Sequence, residues 1–533
     1  MVYIKKIHIE GFKKLSNIDI ELNEKNNLLV GDNGSGKTTI LEALDIALNH
    51  SVKNFDLSRL QLLFNIDKIK EFKSEPSISS LPSILIQIFL GGAAGNPNYE
   101  IFYGPHYENS KDVEDFGIEF KAEFDKTLGT VLYQQISEGY IPYEYYQLTT
   151  NTFGNSLYRP GISNVSFFLI NASNSGLINY NSYSKMMFKS LENDMQIKLK
   201  NKFSVEFEKA MIETMGLLSA ESPAFSYNVE KTALENIVEI YENDLPVSSL
   251  GQGNESIIKT QNLIKNHSKV TIIGIEEPEN HLSYSSMNKM IEIIQNENVD
   301  KQLIITSHSN RIASGIGLNN VIGLSVNSNE TISLRALKEE TYKYFEALPS
   351  DNLLQFILSK KVILVEGPAE LIYIDEFYKK IYNHYMIADS ISCISVNGLS
   401  FKHFVSIASA MKIKICVITD NDKNLNKVNK FKQDLKDIYN SNNFEMFYDM
   451  DENRRTFEIC LYNDNKVLIQ KNLTLQQNAI YDHKYANGDK YLGRMLNDKT
   501  GTALELVKNP AVIQEMIIPD YIKNAFDFIK NEE

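Results

Sequence analysis

The stretch Leu28-Leu29-Val30-Gly31-Asp32-Asn33-Gly34-Ser35-Gly36-Lys37-Thr38-Thr39 constrains the fold more than any other in the chain. An apolar run reads as a buried strand and the glycines as a tight loop. Ile40-Leu41-Glu42-Ala43-Leu44-Asp45-Ile46-Ala47-Leu48 then has the apolar spacing of a helix. Strand, G-x-x-x-x-G-K-T loop and helix in that order make a P-loop. Gly31, Gly34 and Gly36 let the backbone wrap a phosphate and aim N–H groups at it, and the helix that follows offers its positive end. Lys37 reaches the β/γ-phosphates of a nucleotide and the Thr38 hydroxyl ligates Mg²⁺, with Asn33 and Thr39 in the same nucleotide-binding stretch.

A chain of 533 residues is too long for one core and has room for about two to four domains. With 43% hydrophobic and 23% charged residues it has globular composition. No apolar run approaches a membrane span, and the alternating N-terminus reads as a strand rather than a signal peptide. Cys393, Cys416 and Cys460 are too scattered for a zinc pattern or a disulfide framework, which fits a reducing cytoplasm. The net charge of −14 argues against a generally basic surface, yet a local basic groove for nucleic acid is compatible with it.

In chain order, residues 1–30 read as two or three strands with a turn at Gly11–Leu15, where Lys13 and Lys14 either approach the nucleotide phosphates or simply sit on a solvated turn. Ile84–Leu90 is a further strand. Short Tyr- and Phe-rich strands fill roughly 98–172. Asn179–Gly216 reads as helical, with Met186, Met187, Leu191, Met195, Ile197 and Leu199 as a packing face. The region 100–220 carries no chemical motif and reads as an insertion suited to dimerisation. Val247-Ser248-Ser249-Leu250-Gly251-Gln252-Gly253 is a Ser/Gly-rich loop opening a helix, suited to an anion. The buried strand Val270–Ile275 ends in Glu276-Glu277-Pro278: one carboxylate can hold Mg²⁺ and its neighbour orient the attacking water. A second buried strand ends in Thr306-Ser307-His308, where the imidazole can sense a γ-phosphate.

This order of motifs resembles the ATP-binding-cassette ATPases, and more narrowly their soluble SMC- and RecF-related branch, in which two heads sandwich the nucleotide. The resemblance implies that Gly31–Thr38 is Walker A and that Ser248, Ser249, Gly251 and Gly253 form the signature loop acting on the partner's ATP. It further implies that Glu276 is the Walker B acid, Glu277 the catalytic base and His308 the switch histidine. Two departures stand out: Glu276 replaces the usual Asp, and the signature reads Ser-Ser-Leu-Gly-Gln-Gly. For a glutamine loop, Gln87 is the candidate.

The pattern then restarts. Lys360–Val365 is a buried strand followed by Glu366-Gly367-Pro368-Ala369-Glu370 and a helix; Ile391–Val396 is the next strand; Ile413–Ile418 is a third, ending in Thr419-Asp420-Asn421-Asp422. Strand, helix, strand, helix, strand predicts a parallel α/β sheet, whose ligand sites lie at the strands' carboxyl ends. Glu366, Glu370, Asp420 and Asp422 there suit Mg²⁺ or Mn²⁺, because carboxylates crowded without a cation repel one another. Lys423, Lys427, Lys430, Lys432 and Lys436 follow directly, as a DNA-tracking or simply solvated helix face.

This half resembles the Toprim domain, and the combination with a cassette-type ATPase resembles the OLD (overcoming lysogenisation defect) endonucleases, the family that includes the Gabija nuclease subunit. The resemblance implies a second metal site with Glu458 as a ligand and Lys499 as a catalytic cation. It implies an α/β chain in which residues 1–99 are the N-terminal portion of an ABC ATPase domain and 100–220 an insertion. Residues 221–345 are then the C-terminal portion of the ATPase and 355–533 the Toprim nuclease domain. ATP and Mg²⁺ or Mn²⁺ are the expected cofactors and DNA the substrate. A homodimer or homotetramer is expected, beside a separately encoded helicase, second ATPase or reverse transcriptase with its DNA product, in antiphage defence and away from the membrane. The competing readings are an SMC/RecF-like DNA clamp with a non-catalytic Toprim half, and topoisomerase- or primase-like chemistry.

Overall fold

The computed structural model describes residues 1–31, 33–49, 57–108, 111–159, 165–171, 184–185, 187–188, 191, 193–215, 239–242, 244–266, 270–298, 300–324, 331–334, 337–347, 352–396, 401–476 and 480–531. They form two compact units, 1–316 with 320–331 and 317–319 with 332–533.

In the first unit β1 (Tyr3–Phe12) and β2 (Leu15–Glu21) form a hairpin whose alternation buries Ile18 and Ile20 and exposes Asp19 and Glu21. The chain then enters β3 (Asn26–Gly31), buried along Asn27–Gly31, and the P-loop, and continues as α1 (Lys37–Asn49). β4 (Ile84–Gly91), β5 (Tyr103–Glu108), β6 (Lys111–Phe124) and β7 (Tyr146–Thr152) complete an antiparallel sheet ordered β2-β1-β4-β6-β5, with β7 also on β6. β8 (Phe167–Asn171) belongs to a second sheet. The stretch 100–220 therefore supplies strands to both sheets. Within it, α2 (Asn193–Met215) leaves Met195, Ile197 and Leu199 at 51%, 66% and 42% exposure, so these are not a packing face within this chain; Met186 lies outside the described residues.

After α3 (Gln252–Asn266), β9 (Ile272–Glu276), β10 (Gln302–Thr306) and β11 (Val321–Leu324) join β3 and β8 in parallel, ordered β11-β3-β10-β9-β8. The buried Gln302 side chain ties the two sheets: it accepts from the Ile4 amide at 2.8 Å and donates to the Ile4 and Asn23 carbonyls at 2.7 and 2.8 Å. α1 packs against strands of both sheets, which is why its apolar residues run round nearly its whole circumference.

The second unit is a parallel sheet ordered β13-β12-β14-β15, built from β12 (Lys361–Val365), α4 (Pro368–Tyr382), β13 (Ile391–Ser395), α5 (Phe401–Met411), β14 (Lys414–Ile418), α6 (Leu425–Ile438) and β15 (Phe444–Phe447). The strand–helix–strand–helix–strand expectation is met, and β15 extends it. Helices α7 (Phe457–Asn472), α8 (Lys490–Asn497), α9 (Lys499–Val507) and α10 (Asp520–Lys530) close one face over a core that includes Ile363, Phe377, Cys416, Phe457 and Phe526. Among the described residues no helix is long and apolar enough to cross a membrane.

Candidate functional site

The P-loop bends as its glycines permit: Gly34 and Gly36 have φ of +83° and +98°, where a side chain is strained. Lys37 is buried and donates from Nζ to the Gly31 carbonyl at 2.8 Å, folded back over the loop it would serve. The Lys14 ammonium lies 2.7 Å from where a Cβ on Gly34 would sit, so this lysine is poised over the loop, whereas Lys13 pairs with Glu42 of α1 at 2.6 Å.

Parallel register brings the acids round. Glu276 ends β9 opposite Thr306 of β10, and Thr306 lies opposite Leu29 of the P-loop strand. The Thr38 hydroxyl donates to Glu276 Oε1 at 2.5 Å, so the two groups expected on one Mg²⁺ already touch. Burial pushes the Glu276 carboxyl above its usual range, opposed by the Thr38 hydrogen bond and reinforced by the neighbouring Glu277 charge. Glu277 holds a left-handed φ of +42°, kept there by its amide donating to the Thr306 carbonyl and hydroxyl at 3.0 and 3.2 Å. Its carboxylate accepts from Asn280 Nδ2 at 2.9 Å, and His308 Nε2 stands 3.4 Å from its other oxygen without an aligned hydrogen bond. Glu279 accepts from the Ser307 hydroxyl at 2.8 Å and the His308 amide at 2.6 Å, clamping the β9 and β10 loops together. Sequence reasoning assigned no role to Glu279 or Asn280, although both sit in the quoted Glu-Glu-Pro-Glu-Asn run.

In the signature loop Ser249 is exposed and donates its hydroxyl to the Pro246 carbonyl at 2.7 Å; the Ser248 side chain lies outside the described residues. A Cβ on Gly251 would meet nothing within 4 Å, whereas one on Gly253 would fall 2.5 Å from the His281 carbonyl. Gly253 thus serves close packing and Gly251 an open surface. Asn33 and Thr38 are exposed and Thr39 buried. Gln87 corrects the expectation of a glutamine loop: it is buried inside β4, where its amide donates to Glu119 at 2.7 Å.

In the second unit Glu366 follows β12 and Asp420 follows the adjacent β14. Glu366 Oε1 accepts from the Asp420 amide at 2.8 Å and from the Thr419 hydroxyl. Asp420 Oδ1 in turn accepts from the Phe457 amide at 2.7 Å, which brings the start of α7, and so Glu458, to the same place. Glu458 is 2% exposed; its Oε2 lies 3.0 Å from Lys499 Nζ at the start of α9, and neither carboxylate oxygen has a hydrogen bond. Glu370, buried in the first turn of α4, has its carboxyl pushed up to about 7, by burial first and then by the charges of Glu458 and Glu366. Burial, then Glu366, Glu458 and Glu370, likewise push Asp420 well up, against Lys499.

Asp422 departs from this convergence. Its φ of +49° turns it out at the end of the loop: its side chain is exposed, and its amide donates to the Arg455 carbonyl at 3.2 Å. Between the two aspartates the buried Asn421 donates to the Asp449 and Asp451 carbonyls, both at 2.9 Å. Of the lysines on α6, Lys432 and Lys436 are neutralised by Glu445 of β15 at 2.5 and 3.1 Å.

Among the described residues no three His, Cys, Asp or Glu side chains are already gathered as ligands of one ion. The donor chemistry nevertheless fits a hard divalent cation. Glu366, Glu370, Asp420 and Glu458 offer only oxygens, two of those oxygens are buried without a hydrogen bond, and burial together with the neighbouring acids pushes the Glu370 and Asp420 carboxyls up.

Comparison with known proteins divides the chain in the same way. Residues 2–164 match the AAA ATPase domain, and residues 357–422 match the TOPRIM domain of overcoming-lysogenization-defect-like proteins. The Old nuclease of Escherichia phage P2 is 31% identical over 162 residues, 28% of this chain and 28% of that protein. Septu protein PtuA of Bacillus thuringiensis is 23% identical over 64% of this chain and 81% of its own length. Endonuclease GajA of Bacillus cereus strain HuB5-5 is 27% identical over 35% of this chain and 32% of its length. The matched segment thus spans little more than a quarter of the Old nuclease. An AAA ATPase domain followed by an OLD-like TOPRIM domain is the make-up of the chain, as the resemblance implied.

Proposed function

We propose, from an AAA ATPase domain and an OLD-like TOPRIM domain in one chain, that this protein is an ATP-regulated, divalent-metal-dependent DNA endonuclease. The observation that carries the reading is the convergence of Glu366, Glu370, Asp420, Glu458 and Lys499 at the carboxyl edge of β12 and β14. Divalent ions bound there would activate a water and offset charge on the scissile phosphate. Glu366, Glu370, Asp420 and Glu458 would hold them. The Glu366 carboxylate, fixed by the Asp420 amide, orients the cluster; Lys499 offsets its charge and stands ready for the leaving oxygen. The names Old nuclease and Endonuclease GajA support nuclease chemistry, and a role in antiphage defence rests on the same resemblance.

In the ATPase, Lys37, Lys14 and the loop amides would hold the phosphates, Thr38 and Glu276 the Mg²⁺, and Glu277 the attacking water, with His308 at its side. The open face at Gly251 suits a second copy's nucleotide, so a homodimer completes each ATP site. Plasmid cleavage in Mg²⁺ or Mn²⁺, with and without ATP, tests the reading. The wild type should cut, Glu366→Ala and Asp420→Ala should not, and ATP should change the rate. Cleavage that survives both substitutions would leave an ATP-dependent DNA clamp as the better description.

A further inference from the structure

The cluster of carboxylates repels the substrate it is proposed to cut. A DNA backbone brought to Glu366, Glu370, Asp420 and Glu458 needs cations at their rim, and the chain as a whole is acidic at −14. Lys499 is taken up by Glu458. Two other cations next to the site are not taken up. The Arg455 guanidinium lies with Cζ 4.3 Å from the centroid of the Tyr485 ring, and Lys484 Nζ lies 4.5 Å from the same centroid. Neither is within ion-pair range of a carboxylate among the described residues, and Arg455 Nε is buried with no hydrogen-bond partner.

The backbone fixes where this pair of cations stands. The Arg455 carbonyl accepts from the Asp422 amide, and the Phe457 amide, two residues on, donates to Asp420 Oδ1. Two residues of chain span at most about 7 Å, so Arg455 is anchored beside both aspartates. The loop carrying it is held from beneath. Asn421 grips its carbonyls, while Arg454 is spent on Asp449 at 2.6 Å and Asp464 at 2.5 Å. Two adjacent arginines thus have different work: Arg454 is neutralised within the fold, and Arg455 is laid on an aromatic ring. Tyr485 packs against the same core as Phe457, which begins α7. An aromatic face with cations against it attracts them electrostatically and limits their rotamers, so little entropy remains to be lost when a phosphate arrives.

We infer that Arg455, Lys484 and Tyr485 form a phosphate-holding lip at the edge of the Toprim carboxylates, taking the DNA backbone next to the scissile bond. Arg455 and Lys484 contact phosphate; Tyr485 is a positioning residue that fixes both. The inference rests on the nuclease reading for the identity of the polyanion, but its test does not require cleavage.

The test is binding of a fluorescein-labelled DNA duplex of roughly 30 base pairs to the full chain in EDTA, followed by anisotropy across a KCl series. The double variant Arg455→Gln/Lys484→Gln should weaken binding about tenfold at moderate salt and flatten the log–log salt slope by about one to two units, as expected when two phosphate contacts are lost. Tyr485→Leu should weaken binding several-fold, and Tyr485→Phe, which keeps the ring, should bind as the wild type does. Lys427→Gln/Lys430→Gln on α6 should leave affinity nearly unchanged. An unchanged affinity and slope in the Arg455/Lys484 variant overturns the lip, and so does loss of binding confined to the α6 variant or a wild type that does not bind the duplex. Failure of the nuclease reading shows separately, as DNA that is bound with the predicted slope but never cut in Mg²⁺ or Mn²⁺.

Discussion

The two acidic sites of this chain are balanced differently. At the P-loop each carboxylate has a partner before any ligand arrives: Thr38 on Glu276, Asn280 and His308 about Glu277, Ser307 and the His308 amide on Glu279. At the Toprim edge Glu366 and Asp420 accept backbone hydrogen bonds, but Glu458, beside the Lys499 ammonium, buries both oxygens without one, and burial and the neighbouring acids push Glu370 and Asp420 up. The first site is preorganised by its sheet; the second is under electrostatic tension that a cation would relieve. One is suited to reading whether ATP is present, the other to a metal that performs cleavage.

If that contrast is right, the largest effect follows from breaking the second site: Asp420→Ala should reduce DNA cleavage by about 10³-fold or more in a nuclease assay while ATP binding stays intact. In the first site Glu277→Gln should leave nucleotide affinity nearly unchanged and slow steady-state ATP hydrolysis by about 10²-fold. Unaltered hydrolysis would remove Glu277 as the base. Next comes stability without metal. Glu458→Gln removes a buried charge from a like-charged cluster, but it also frees Lys499. It should raise the melting temperature in EDTA by a few degrees and abolish the rise that Mn²⁺ gives the wild type. A fall in EDTA would mean that the Lys499 pair outweighs the repulsion.

The smallest effect lies away from both sites. The Asp389 carboxyl is held down to about 2 by hydrogen bonds from Tyr378 and then His384, with Lys530 beyond them. A depressed acid stabilises the fold above its usual pKa and loses that contribution as pH falls toward 2. Asp389→Asn should therefore cost about 1 kcal/mol at neutral pH, a value reduced for partial exposure, and little below about pH 2. Urea denaturation at both pH values reads the difference.

How much of this was legible beforehand depended on how local each cause is. The P-loop, the acids at the strand ends and the parallel sheet of the second unit follow from apolar runs and their terminal residues, and the structure has them. Glu458 and Lys499 came only through resemblance, because it takes the Phe457 amide on Asp420 to bring α7 to the site. Asp422 shares a D-x-D spacing with Asp420, but a φ of +49° sends it outward, and spacing carries no sign of φ. Lys432 and Lys436 looked free on their helix because Glu445, which neutralises them, belongs to a neighbouring strand. Gln87 is another such case, paired across the sheet with Glu119. The apolar residues of α2 read as a buried face, yet Ile197 is 66% exposed. Sequence periodicity shows that a face exists and not that this chain covers it.

The central claim is that the Toprim carboxylates await a divalent cation. Titration calorimetry of Mn²⁺ into the full chain without nucleotide tests it most directly, because Glu276 and Glu277 each already have a protein partner. The wild type should bind Mn²⁺ with an isotherm that Asp420→Ala abolishes and Glu276→Gln leaves in place. Identical isotherms for the wild type and Asp420→Ala, or loss of binding in Glu276→Gln alone, would contradict the account.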